Sequence, residues 1–64
     1  MTQKELLYLE DAIGHEQSII SICDYSIDNL SDKNLISFMK SEQRKHTNTL
    51  EKLLNMLEDK ANEW

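Results

Sequence analysis

The residues of this chain that are best able to do chemistry are three polar residues standing where two apolar helical stripes would otherwise carry aliphatic side chains. Glu16 lies in the first half of the sequence, and Gln43 and His46 lie in the second. Because residues three apart share a face of a helix, Gln43 and His46 would project together. A carboxylate and an imidazole brought into contact can form a hydrogen-bonded polar layer or can bind a metal ion.

The structural interpretation is a polar layer inside a helical bundle. A polar residue at a seam position fixes the register and the number of chains of a bundle, at some cost in stability. We predict that Glu16 and His46 are hydrogen-bonded in such a layer and that Gln43 satisfies the remaining polar groups. This interpretation needs no cofactor, and we assign no catalytic residue.

The alternative is a metal site built from two copies of the chain. Dimetal carboxylate bundles use one Glu from each of two helices and a Glu-x-x-His sequence from each of the other two. Here Gln43 stands at the Glu position of that sequence, so a dimer would lack two of the four carboxylates. The positive charge of a pair of divalent cations would then be poorly compensated. Glu42 lies four residues before His46 and is the substitute ligand. If zinc or iron is bound, Glu16, Glu42 and His46 are its candidate ligands.

Two long helices must position these side chains. In each half of the chain, apolar residues recur every three or four positions, which is the spacing of an amphipathic helix, and no sustained alternation with period two favours a strand. Thr2 and Glu5 have the spacing of a capping box, and Asp32 or Ser31 can cap the second helix. We predict the following apolar core for a dimer of the chain: Leu6, Leu9, Ile13, Ile20, Cys23, Ile27, Ile36, Met39, Leu50, Leu53 and Leu57.

The predicted fold is an all-α antiparallel hairpin in which residues 1–64 form one domain. Helix 1 is expected at about 3–29, the turn at about 30–33 and helix 2 at about 33–63. Counting outwards from the turn brings Glu16 opposite Gln43 and His46 near mid-length. Two helices cannot cover apolar stripes this wide, so we expect a homodimer in which two hairpins form a four-helix bundle. Gly14 interrupts helix 1, either as a tolerated weakness or as a point of close approach by a neighbouring helix.

Composition argues against several classes of protein. The formal net charge is −5, and the chain has no basic patch that would suit nucleic acid or an anionic membrane surface. Cys23 is the single cysteine, which suits a reducing compartment. No apolar run approaches the roughly 18 residues of a membrane span, and the N-terminus has no apolar signal sequence. We therefore expect a soluble, cytoplasmic protein.

The sequence also resembles a known family. Residues 5–16, Glu-Leu-Leu-Tyr-Leu-Glu-Asp-Ala-Ile-Gly-His-Glu, are similar to the first helix of short ferritin-like spore coat proteins of the coat F type. Residues 32–36, Asp-Lys-Asn-Leu-Ile, stand where those proteins have a turn similar to Asp-Pro-Glu-Leu-Arg, and residues 43–57 resemble their His-containing helix with its leucine cluster. The resemblance implies a ferritin-like half-bundle and a place in the spore coat. It also implies that Glu16 and His46 occupy ligand positions, whereas Gln43 departs from the pattern.

We therefore expect a non-enzymatic structural or interaction protein. It would be a homodimeric helical bundle, and the resemblance implies a role in sporulation with other coat proteins as partners. A degenerate ferritin-like metal-binding protein is the first alternative. A small helical regulator that docks on a signalling protein is the second, although the chain has no Ser-x-Glu-Leu-Asp sequence of the kind that small sporulation phosphatases use.

Overall fold

The chain folds as two long helices that pack against each other as a hairpin. The computed structural model describes residues 1–62, in which α1 spans Gln3–Asn29 and α2 spans Lys33–Asn62. The two helices lie side by side in a rod of 48 × 15 × 12 Å. The predicted helical hairpin is thus confirmed, whereas the predicted end of helix 2 at residue 63 lies outside the described residues.

The start of α1 is fixed by a reciprocal pair of hydrogen bonds. The backbone N–H of Glu5 donates to Oγ1 of Thr2 over 3.1 Å, and the backbone N–H of Thr2 donates to Oε1 of Glu5 over 2.8 Å. This is the predicted capping box, and it satisfies two amides that have no carbonyl partner within the helix. The hydrogen bond from the Thr2 backbone, with help from its side chain, lowers the pKa of Glu5 below its usual value.

The connection between the helices is short and polar. At the end of α1, the N–H of Leu30 donates to the carbonyl of Ser26 over 2.8 Å, and Leu30 itself is extended. Asp32 then caps α2, because its Oδ1 accepts from the N–H groups of Asn34 and Leu35 at 2.8 and 3.0 Å. Because only three residues connect the two helices, the second helix must run antiparallel to the first and pack against it.

The seam between α1 and α2 carries the apolar residues that the sequence singles out as a dimer core. All of them are buried or half-buried in a single chain, so in the hairpin they line the contact between its own two helices. Within residues 1–61, however, only Ile13 and Cys23 are fully buried, with exposures of 8% and 2%. One pair of helices therefore covers its own seam incompletely.

The hairpin leaves a large area in contact with solvent. Its accessible surface is 5034 Å², whereas a folded monomer of 7.5 kDa exposes about 4,250 Å². Among the described residues, eight large apolar side chains are at least 43% exposed: Leu7, Tyr8, Ile22, Tyr25, Leu35, Phe38, Leu54 and Met56. None of the helical sequence within residues 1–62 combines the length and the apolarity that a membrane span requires.

Candidate functional site

The centre of the seam carries a hydrogen-bonded contact between a carboxylate of one helix and an imidazole of the other. Glu16 lies at the middle of α1, and His46 lies near the middle of α2. Nδ1 of His46 is 2.5 Å from Oε2 of Glu16, and the two side chains are only 24% and 16% exposed. The structure therefore brings together the carboxylate and the imidazole that the sequence predicts to meet.

Glu42 is the third member of this site. Its Oε2 lies 3.3 Å from Nε2 of His46, on the opposite side of the ring from Glu16, and its side chain is 26% exposed. Lys45 approaches the same carboxylate from solvent, with Nζ 3.7 Å from Oε1 of Glu42. Both ring nitrogens face carboxylate oxygens, and both can donate a hydrogen bond only when the ring is an imidazolium.

The sequence predicts Glu42 as a substitute metal ligand and not as a member of the polar layer. The signal was present, because residues four apart lie next to each other on a helix and Glu42 precedes His46 by four. We name Glu16, His46 and Glu42 together the central triad.

Gln43 does not occupy the place that we predicted for it in the layer. Its Nε2 donates instead to Oδ1 of Asp24 on α1, at an exposed position nearer the turn than Glu16. The helices run in opposite directions, so a residue that precedes His46 on α2 faces residues that follow Glu16 on α1. A long amide at that height reaches the carboxylate of Asp24, and the predicted layer of Glu16, Gln43 and His46 is corrected to the central triad.

The central triad is arranged as a row and not as a cluster around one point. The imidazole stands between the two carboxylates, and each of its nitrogens is engaged by a different one. A metal-bound imidazole must give up one of these contacts, because its ligating nitrogen supplies a lone pair. Over the part of the chain that the structure describes, no three His, Cys, Asp or Glu side chains converge in a way that could hold a metal ion.

The two sides of the hairpin differ in chemistry. On one side, which we call the back face, a shallow depression next to Gln43 is bordered by two acidic and two basic residues: Asp24, Asp28, Lys40 and Arg44. Opposite charges therefore compensate one another there. On the other side, which we call the front face, a groove is lined by Glu5, Leu9, Met56 and Lys60.

Comparison with known proteins adds no identification. Neither protein-family models, nor curated proteins, nor solved structures give a match to the chain. The class of protein that the fold defines is therefore an all-α helical hairpin with a half-buried contact between a carboxylate and an imidazole at the centre of its seam.

Proposed function

We propose that the chain is a non-enzymatic structural protein that works as a homodimer, in which two hairpins form a four-helix bundle. The observation that carries this proposal is the exposed surface of 5034 Å². It exceeds the area expected for a folded monomer of this mass by roughly 800 Å², which is about what each partner loses in a protein interface of standard size. A second hairpin would remove this excess from water.

The hydrogen-bonded contact of Glu16 and His46 has a structural role in this proposal, because it fixes the register of the two helices. If α2 slid by one heptad, Glu16 would face Met39 or Leu53 and would lose its partner in a half-buried seam. Leaving a buried polar group without a partner costs about 1–3 kcal/mol, and more when the group is charged. An aliphatic pair at the same height would stabilise several registers with little discrimination between them.

The setting that we propose for this bundle is the spore coat. Its support is the resemblance of residues 5–16 and 43–57 to short ferritin-like coat proteins. A hairpin that supplies half of a four-helix bundle is the unit that such a resemblance implies.

A metal-binding protein is the second candidate function, and the position of Glu42 favours it. Two copies of the central triad would supply four carboxylates and two imidazoles, so Glu42 restores the donors that Gln43 takes away. Elemental analysis of protein purified without an affinity tag tests this candidate. A stoichiometric transition metal that is lost in both Glu16→Ala and His46→Ala variants would favour it over the purely structural function.

The structural function is tested by sedimentation of the wild-type chain and of two variants that carry the same substitution. Glu16→Leu removes the register-fixing carboxylate, whereas Glu10→Leu makes the same change at an exposed position of α1. We expect the wild type and Glu10→Leu to sediment as a single species with twice the chain mass of 7.5 kDa. We expect Glu16→Leu to remain helical but to populate more than one assembly.

Two results would count against the proposal. A well-folded wild-type chain that stays monomeric at every concentration would refute the homodimer. A Glu16→Leu variant that forms the same single dimer with unchanged or greater stability would refute the register-fixing role of the contact between Glu16 and His46.

A further inference from the structure

Both helices carry a second apolar stripe beside the seam. On α1 it consists of Tyr8, Ala12, Ile19 and Ile22, which are spaced by three, four or seven residues and therefore lie on one side of the helix. On α2 the corresponding stripe has the same kind of spacing, with three apolar members and two polar ones, Glu42 and Thr49, between them: Leu35, Phe38, Glu42, Thr49 and Met56. These residues do not make the seam, and most of the large ones are more than half exposed.

The two stripes lie on the same face of the hairpin. Glu5 and Met56 line one groove of the front face, and Glu5 belongs to the stripe of Tyr8 because it lies three residues before it. Met56 belongs to the α2 stripe itself. The front face is therefore formed by both stripes, with Glu42 at its centre.

The back face is different in composition. Leu6, Glu10, Leu57 and Ala61 line a depression at one end of it, and the charged residues beside Gln43 lie nearer the turn. Leu54 belongs to this face because it precedes Ala61 by seven residues. The back face therefore alternates isolated apolar side chains with charges, whereas the front face concentrates the apolar ones.

We propose that the front face is the surface on which a second copy of the chain docks, and that docking brings the two central triads together at the middle of the interface. This inference rests on the proposed homodimer and adds to it the face and the residues that meet. Two observations support a second copy as the occupant: the front face holds the second apolar stripes of both helices, and the exposed area exceeds that of a compact monomer by roughly 800 Å².

Symmetry determines what happens to the central triad in such a dimer. A twofold axis parallel to the helices leaves every residue at its own height, so each triad lies across from its copy. A twofold axis perpendicular to the helices reverses the direction of the second hairpin. If the two hairpins overlap along their whole length, this axis passes through the midpoint of the helices. Glu16 is at the middle of Gln3–Asn29, so the triads meet in this arrangement also. The interface would contain two imidazoles and four carboxylates at its centre, and neither hairpin supplies this group alone.

The face is tested by two substitutions placed close together on α2. Met56→Glu puts a carboxylate on the front face, and Leu54→Glu puts one on the back face; the two side chains are 54% and 43% exposed, so neither change empties the seam. We expect Met56→Glu to raise the dimer dissociation constant by about 100-fold or more, because the dimer would bury two new carboxylates and lose two thioether contacts. We expect Leu54→Glu to leave it within about threefold of the wild-type value.

A second matched pair repeats the comparison near the helix starts. Phe38 is on the front face, and Leu7 is on the back face because it lies three residues before Glu10 on the same helix. Both side chains are 58% exposed, and each lies in the first two turns of its helix. Phe38→Glu should dissociate the dimer and Leu7→Glu should not. Sedimentation gives the mass and circular dichroism gives the helix content, so a chain that dissociates and unfolds still counts as a loss of the dimer.

The meeting of the triads is tested by cross-linking. Glu42→Cys places a thiol at the centre of the front face, and Glu51→Cys places one on the exposed, outer side of the same helix. A short bismaleimide should link two Glu42→Cys chains into a covalent dimer and should leave the Glu51→Cys chains unlinked. The wild type controls for Cys23, which is 2% exposed and should remain unmodified in the folded protein.

The outcomes separate this inference from the proposed function. A monomeric wild type refutes the homodimer and the docking surface together. A dimeric wild type in which Met56→Glu and Phe38→Glu stay dimeric, or in which the back-face variants dissociate equally, refutes the front face alone. Cross-linking of Glu51→Cys at the rate of Glu42→Cys refutes the meeting of the triads.

Discussion

Replacing Gly14 with alanine offers a sharp test of how the hairpin is covered. Gly14 lies within α1, is exposed, and belongs to the stripe of Leu7 on the back face because it follows Leu7 by seven residues. A Cβ atom added to it meets no other atom within 4 Å, and its φ is not positive. The substitution therefore introduces no clash and no backbone strain within the chain.

The expected effect is a gain in stability. Glycine within a helix is about 0.8–1 kcal/mol less favourable than alanine, because its backbone loses more freedom on folding. For a chain of 64 residues, a gain of this size raises the midpoint of thermal unfolding by about 4–8 °C. In a dimer the gain applies to both chains, and the entropy of unfolding doubles with it, so the shift in midpoint stays similar.

The assay is thermal unfolding followed by circular dichroism at one fixed protein concentration, since the midpoint of a dimer depends on concentration. Ser18→Ala, at an exposed position of the same helix, is the matched control and should raise the midpoint by about half as much or less. If Gly14→Ala instead lowers the midpoint or weakens the dimer, a neighbouring helix approaches Gly14 closely. That result would place the contact on the back face and would refute the docking surface that we propose.

Two further predictions follow from groups at the start and in the core of α1. The folded-state pKa of Glu5 lies below its ordinary value because the backbone N–H of Thr2, and then its side chain, bind the carboxylate. The ionised carboxylate therefore stabilises the folded chain at pH values above the unfolded pKa of about 4.3. This contribution to the free energy of unfolding is lost as the pH falls through the lower, folded-state pKa. Acid unfolding of Glu5→Gln should lack this part of the pH dependence, and identical acid-unfolding curves for both chains would contradict the capping assignment. Cys23 is 2% exposed, so a thiol reagent reaches it only when the chain unfolds. With about 3 kcal/mol of stability, the native protein should react about 100-fold or more slowly than the protein in denaturant. A native rate close to the denatured one would contradict the burial of Cys23.

The helices and their ends could be predicted from the sequence because the forces that set them are local. The three- and four-residue spacing of apolar side chains indicates an amphipathic helix, and the spacing of Thr2 and Glu5 indicates a capping box. Asp32 precedes the free amides of the second helix and binds two of them, as the residue type suggests. The contact of Glu16 with His46 also follows from the sequence, because a short turn fixes which heights on the two helices face each other.

The partners of the other polar residues depended on the tertiary structure. Gln43 and Glu42 are neighbours in sequence, yet Gln43 turns to Asp24 on the back face and Glu42 turns to His46 on the front face. Helical spacing places both of them close to the seam and does not say which acceptor each side chain reaches, since that depends on the rotation of each helix about its axis. The separation of the apolar surface into a seam and a front face has the same origin. The sequence by itself determined that this chain is a helical hairpin with a carboxylate and an imidazole at its centre, because those features depend on spacing along one chain. Only the packing of one helix against the other decided that Glu42 completes the central triad and which apolar side chains stay exposed.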